Sequence, residues 1–136
     1  MRRISMLSVG VLSLSLGCTG PTGATVASAV SGSWVRVEAH PGSDFEMSLV
    51  ANGTSLSGTG NFVAEAGPGG TMTIEGAVTR DTVNLDFTFS TEFTDGNVTS
   101  TGHFTGILSF GALRGNATYF SGSDITTDAT TFVRKH

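Results

Sequence analysis

The chain reads as an all-β domain, an antiparallel up-and-down meander of about eight strands closed, or nearly closed, into a barrel. Three observations predict this. From Ser33 onward apolar and polar residues alternate with a period of two, and no stretch after residue 30 carries apolar residues at helical spacing. The alternating runs are short and recur between turn signals. Each run has one apolar and one polar face, as in an antiparallel sheet with one buried side.

The strands follow in order. Trp34–Ala39 is the first, ended by His40-Pro41-Gly42-Ser43. Phe45, Met47 and Leu49 mark the second, and Asn52-Gly53 after it predicts a type I′ hairpin turn, which needs positive φ at both centres. Leu56, Gly58, Gly60 and Phe62 share the apolar face of the third, and Gly67-Pro68-Gly69-Gly70 breaks the chain. Met72, Ile74, Gly76 and Val78 form the fourth, up to Arg80-Asp81. The fifth is the clearest: Val83, Leu85, Phe87 and Phe89 alternate with Asn84, Asp86, Thr88 and Ser90. Asp95-Gly96-Asn97 predicts a second hairpin turn; Phe104, Gly106 and Leu108 mark the sixth strand, and Leu113, Gly115, Ala117 and Tyr119 the seventh. Ser121–Asp124 opens a loop, and Thr130–Lys135 is the eighth strand. An open sheet of this width would leave an apolar face wet and two edges unpaired, and closure removes both problems. A two-layer β-sandwich is the runner-up. A membrane-spanning barrel is disfavoured, because the outward positions carry Thr, Ser, Asn and Asp where lipid demands apolar groups.

The amino terminus is of another kind. Arg2 and Arg3 precede thirteen uncharged residues, Ile4–Leu16. That run is shorter than the roughly 20 residues a spanning helix needs, and it has the size and flanks of a secretory h-region. It ends in Leu14-Ser15-Leu16-Gly17-Cys18, which resembles the lipobox of bacterial lipoprotein signal peptides. Gly17 and Cys18 match that pattern, while Ser15 and Leu16 stand in swapped character. The resemblance implies cleavage before Cys18, acylation of its sulfur and new amino terminus, and a protein held by its acyl chains in a bacterial cell envelope, on the outer membrane or a periplasmic face. The organisation expected is a signal peptide at 1–17, a lipidated Cys18 with a flexible tether at 18–31, and one barrel domain at 32–136. A strand over TVASAV within the tether is the alternative. Cleavage removes two of the 7 basic residues and none of the 11 acidic ones, so the exported domain is markedly acidic. The mean hydropathy of +0.15 includes the leader and overstates that of the domain.

A second resemblance rests on Gly32-Ser33-Trp34, which is similar to the Gly-x-Trp opening of lipocalins, avidins and their relatives. In those families an Arg near the last strand packs across the Trp and closes one barrel end, and the resemblance implies that Arg134 pairs with Trp34 here. Avidin-type biotin binding is not implied, since that pocket uses several Trp residues and this chain has 1.

Composition excludes several classes. With a formal charge of −4 and a pI near 5.1, the chain lacks the basic surface of a nucleic-acid binder. With 1 Cys it is no disulfide-stapled miniprotein. Acid–base machinery is thin. His40 lies in a turn, His103 points outward, His136 is the last residue, and no Ser has a Gly-x-Ser-x-Gly setting. Glu75 and Asp86 reach the same outer face as a solvated carboxylate pair, so no catalytic residue is assigned and the domain is expected not to be an enzyme. No metal site is expected: Asp124, Asp128 and Asp95-Gly96-Asn97 lack the ligand density of a calcium loop. No cofactor is expected either.

The most distinctive internal feature is an apolar-x-Gly unit at Gly58, Gly76, Gly106 and Gly115. These glycines either permit the coiling of a small barrel or leave room for a ligand. In the second case Trp34, Phe45, Phe87, Phe89, Phe104 and Tyr119 line the cavity, with the Tyr119 hydroxyl and Arg36 as its polar groups, and a bulky residue at Gly106 blocks uptake while the fold survives. Three functions follow: a non-enzymatic, membrane-anchored barrel that binds an envelope protein or glycan; a lipocalin-like carrier of a small apolar molecule; or an inhibitor of a secreted enzyme.

Overall fold

The computed structural model describes residues 22–37, 44–64 and 67–136. The leader, Cys18 and the tether up to residue 21 lie outside the described residues, as do the end of the first expected strand and the turn at 40–43. A helix, α1 (Gly23–Val30), precedes β1 (Gly32–Arg36), β2 (Asp44–Asn52), β3 (Ser55–Val63), β4 (Gly70–Thr79), β5 (Thr82–Phe93), β6 (Gly96–Ser109), β7 (Ala112–Ser121) and β8 (Asp124–Arg134). Each strand pairs antiparallel with its sequence neighbour. β1 also pairs with β8 through Trp34↔Arg134, Val35↔Val133 and Arg36↔Phe132, which closes the barrel and rules out the sandwich.

Turns sit slightly off their predicted places. Asn52 pairs with Ser55, so the β2–β3 turn is Gly53-Thr54, and Gly53 alone takes positive φ there (63°). The β5–β6 turn is Thr94-Asp95, with Gly96 already paired to Phe93. Ser121–Asp124 is no loop: Ser121 pairs with Asp124 across a two-residue turn, and β8 begins six residues earlier than its apolar residues announce. The added residues, Asp124–Ala129, are exposed, so backbone pairing rather than burial makes them a strand.

The largest correction is α1. The segment read as flexible tether is helical over Gly23–Val30 and part of the barrel domain. Thr22 caps it, its hydroxyl accepting from the Thr25 N–H at 3.2 Å. Val26, Ala27 and Val30 are buried in the same core cluster as the barrel interior. An eight-residue helix is too short to persist alone, so this packing holds it. It covers the barrel end where β1 starts and β8 finishes. Its last carbonyls, orphaned as at any helix terminus, are taken up from the strands: Trp34 Nε1 donates to Val30 O at 2.7 Å, and Arg134 donates to Ser31 O at 2.6 Å and to Ala29 O. The Arg134 guanidinium lies 4.1 Å over the Trp34 ring, the contact that the lipocalin and avidin resemblance implied. Replacing Arg134 by Met keeps bulk over the indole but leaves those carbonyls without donors. It is expected to cost about 1.5–3 kcal/mol, read as a lower midpoint in chemical denaturation with an unchanged slope.

The glycines serve coiling and packing. A Cβ on Gly58, Gly60, Gly76, Gly106 or Gly115 would collide with a carbonyl oxygen of a neighbouring strand. Large residues stand opposite several of them: Leu49 and Ile74 flank Gly58, Met47 and Met72 flank Gly60, and Leu56 and Leu85 flank Gly76. The space at these glycines is therefore occupied from the adjacent strands, as close-packed interiors require.

Candidate functional site

The six aromatic residues expected to share one cavity do not. Register decides how deep each lies. Trp34 belongs to the helix-covered end, and Phe104 and Phe87 are in the solid middle, at 0% and 1% exposure. Phe104 stands opposite Leu85 and Ala117 and stacks edge-on against Phe132, 5.2 Å between centroids, within the core cluster. Phe45, Phe89 and Tyr119 do come together, at the other end of the barrel.

There the interior opens as a cup of about 260 Å³, lined by Arg36, Asp44, Phe45, Phe62, Val63, Ala64, Phe89, Thr91, Ser100 and Tyr119. Strand parity builds it: Arg36 of β1, Phe45 of β2, Phe62 of β3, Phe89 and Thr91 of β5, Ser100 of β6 and Tyr119 of β7 are inward positions near the rim. Its floor is a run of edge-to-face and tilted rings. Phe89 lies 5.4 Å from Phe62, 6.2 Å from Phe45 and 5.9 Å from Tyr119, separations at which aromatic pairs are favourable. Arg36 supplies the polar side. Its guanidinium lies 5.3 Å over the Phe45 ring, and Nη1 donates to the Tyr119 hydroxyl at 3.5 Å. Alternation marks Arg36 as an inward polar group and sets Phe62 on the apolar face without assigning it to a site; Asp44, Val63, Ala64, Thr91 and Ser100 are not named by it. Their signal was register, which alternation alone does not supply.

Burial at the cup pushes the Tyr119 phenol above its ordinary 10.0; Arg36 partly opposes this and the Asp128 carboxylate adds to it. Tyr119 is the only Tyr, so tyrosinate absorbance reads it directly. The titration midpoint is expected above 10.0 in the folded protein and near 10.0 in denaturant, and Arg36→Met should move the folded value further up. Because the unfolded phenol ionises first, stability from this group is complete below pH 10.0 and falls as pH climbs through the folded value. A folded midpoint at or below 10.0 would contradict the burial.

The outer face carries a second arrangement. Glu75 and Asp86 are direct cross-strand partners, as expected for a pair on that face. Asp86 is also engaged by His103, Oδ1 to Nδ1 at 2.7 Å; His103 Nε2 lies 2.8 Å from Thr105 Oγ1, which donates to Asn84 Oδ1 at 2.9 Å. Carboxylate, imidazole and hydroxyl thus stand in the order of a hydrolase relay. Asp86 lies on β5 and His103 and Thr105 on β6, strands paired on both sides, whose N–H groups belong to their ladders rather than to an oxyanion hole. Among the described residues no group of three or more His, Cys, Asp or Glu is placed to hold a metal ion.

The fold and cup define a class: a closed, eight-stranded up-and-down β-barrel, compatible with a lipocalin-like architecture, with one end sealed by a helix and the other open. No protein-family model, curated protein or solved structure matches the chain.

Proposed function

We propose that this is a non-enzymatic, lipid-anchored lipoprotein of the bacterial cell envelope, exported through its leader and held by acyl chains on Cys18. Its barrel is a binding module whose site is the open cup rather than the lumen. The cup itself carries this reading: an aromatic floor with the Arg36 guanidinium, the Tyr119 phenol and the Asp44 carboxylate at its side, above a core packed with the barrel's own side chains. At about 260 Å³ it is smaller than the pockets that enclose whole small ligands. It fits the end of something larger, such as an apolar or aromatic group of an envelope protein or glycan carrying a hydrogen-bond acceptor for Arg36. Apolar side chains exposed toward the same rim, Val63, Phe93 and Val98, extend the contact surface outward.

Native mass spectrometry of the protein purified from its own membranes tests this. The expected spectrum shows a chain beginning at an acylated Cys18 with no stoichiometric small molecule. An apolar molecule bound near one per chain would replace the reading with that of a carrier, and an unmodified Cys18 would remove the anchor.

A further inference from the structure

The barrel is electrically polarised along its axis. At the helix-covered end stand Arg80 in the β4–β5 turn, Arg114 near the start of β7, and Arg134 and Lys135 at the end of β8, with Asp81 as a carboxylate among them. Lys135 is tied to Glu46 at 2.8 Å, while Arg80 and Arg114 are exposed. Around the open end lie Asp44, Glu92, Asp95, Asp124 and Asp128, with Arg36 as the cation.

The same covered end carries the most exposed large hydrophobic side chain of the described residues. Phe110, at the tip of the β6–β7 hairpin, is 101% exposed and held at φ 50°, a conformation that bulky side chains seldom adopt. A polar or small residue would suit an aqueous hairpin tip better, and Gly111 beside it already supplies turn flexibility. Nothing in the barrel needs Phe110, since it touches no part of the core.

The chain enters at this end too. Gly23, the first residue of α1, packs beside Thr54, Val78 and the backbone of Arg80. Cys18 is four residues before Thr22, a reach of at most about 14 Å of extended chain. An acylated Cys18 therefore keeps the helix-covered end close to the bilayer, within one or two Debye lengths, where cations feel anionic headgroups and carboxylates are repelled.

We propose that the helix-covered end is a membrane-facing surface: Arg80 and Arg114 contact anionic lipid headgroups, Phe110 enters the interfacial layer, and the acidic open cup points away from the membrane. This rests on the lipid-anchor reading for its geometry, while the charge polarity and Phe110 stand apart from it. The occupant is a bilayer surface because charge, an exposed aromatic tip and the short reach to the acylation site coincide at one end, and aromatic groups favour the interface.

The experiment uses the full acylated protein in vesicles of phosphatidylethanolamine and phosphatidylglycerol, with brominated lipid as quencher. Phe110→Trp places an indole at the covered end and Thr94→Trp one at the tip of the β5–β6 hairpin beside the cup. Both sites are exposed, and the parent, with only Trp34, gives the background. The indole at 110 should shift to the blue and lose emission to the brominated lipid, and the indole at 94 should do neither. Arg80→Glu with Arg114→Glu should reduce the quenching at 110. Equal quenching at both positions, or quenching at 94 alone, overturns the orientation while an acylated mass leaves the anchor intact. If mass spectrometry shows Cys18 unmodified, the unacylated protein is sedimented with the same vesicles. Salt-sensitive binding that needs Phe110 and the two arginines then supports the surface without the anchor, and no binding overturns it.

Discussion

Trp34→Ala is expected to cost about 3–5 kcal/mol, a large share of the 5–15 kcal/mol that typically holds a domain together. Trp34 is fully buried, so the substitution opens a cavity where β1 meets β8. It also removes the donor to Val30 O and the ring beneath Arg134, so the attachments of the helix through Trp34 and through Arg134 weaken together. Trp34→Phe separates these effects. It keeps a ring under the guanidinium but leaves the carbonyl without its indole partner, and should cost about 1–3 kcal/mol. Hydrogen exchange reads the locality: Trp34→Phe should speed exchange in Val26–Ser31 before it speeds exchange in β5 and β6. Uniform acceleration across the barrel would mean that helix and barrel open as a single unit.

Gly115→Val should be about as damaging, at roughly 3 kcal/mol or more. Gly115 and Gly106 face one another across β6 and β7, and a Cβ on Gly115 would stand 2.5 Å from Gly106 Cα and closer still to the Thr105 carbonyl. Those atoms are backbone and cannot swing aside. Gly106→Leu fails for the same reason, meeting Phe104 Cζ at 2.6 Å and the Arg114 carbonyl. The expectation that it would fill a ligand cavity and spare the fold is therefore replaced by an expected loss of folded protein. Gly102→Ala is the informative contrast. Its Cβ would meet Phe89 at 3.0 Å and Tyr119 at 3.1 Å, side chains at the open cup, and the Thr118 carbonyl only at 3.2 Å, so no neighbour is as close as the backbone atoms facing Gly115. A penalty of about 1 kcal/mol and a cup narrowed by displaced rings are expected, with thermal unfolding and the Tyr119 titration as the measurements.

Much of the fold was legible because strand parity is a local property. Val83, Leu85, Phe87 and Phe89 alternate against polar neighbours, and all four are buried in β5. Two kinds of information were not local. The helix is short, rich in small residues and stabilised by the barrel it covers, so TGATVASAV carries no helical stripe that could be read alone. Depth along the axis depends on which residues stand opposite one another. Phe87 and Phe89 are two residues apart on one face, yet the first is core and the second floors the cup, because Phe89 pairs with Ser100 near the rim. The relay of Asp86, His103 and Thr105 was hidden similarly: parity sent all three outward, but only the β5–β6 register sets Asp86 opposite His103.

The most direct test of the cup as the binding site is a titration of the isotopically labelled protein with anilinonaphthalenesulfonate, an apolar aromatic anion, followed by NMR. Its rings match the aromatic floor and its sulfonate matches Arg36. Resonances of Phe45, Phe62, Phe89, Ser100 and Tyr119 should shift together, those of Trp34, Leu113 and Ala117 should stay in place, and Arg36→Met should weaken the binding. Shifts at Gly106, Leu113 and Ala117 would place the guest inside the barrel, and a spectrum unmoved at the cup would contradict the assignment of this end as the binding face.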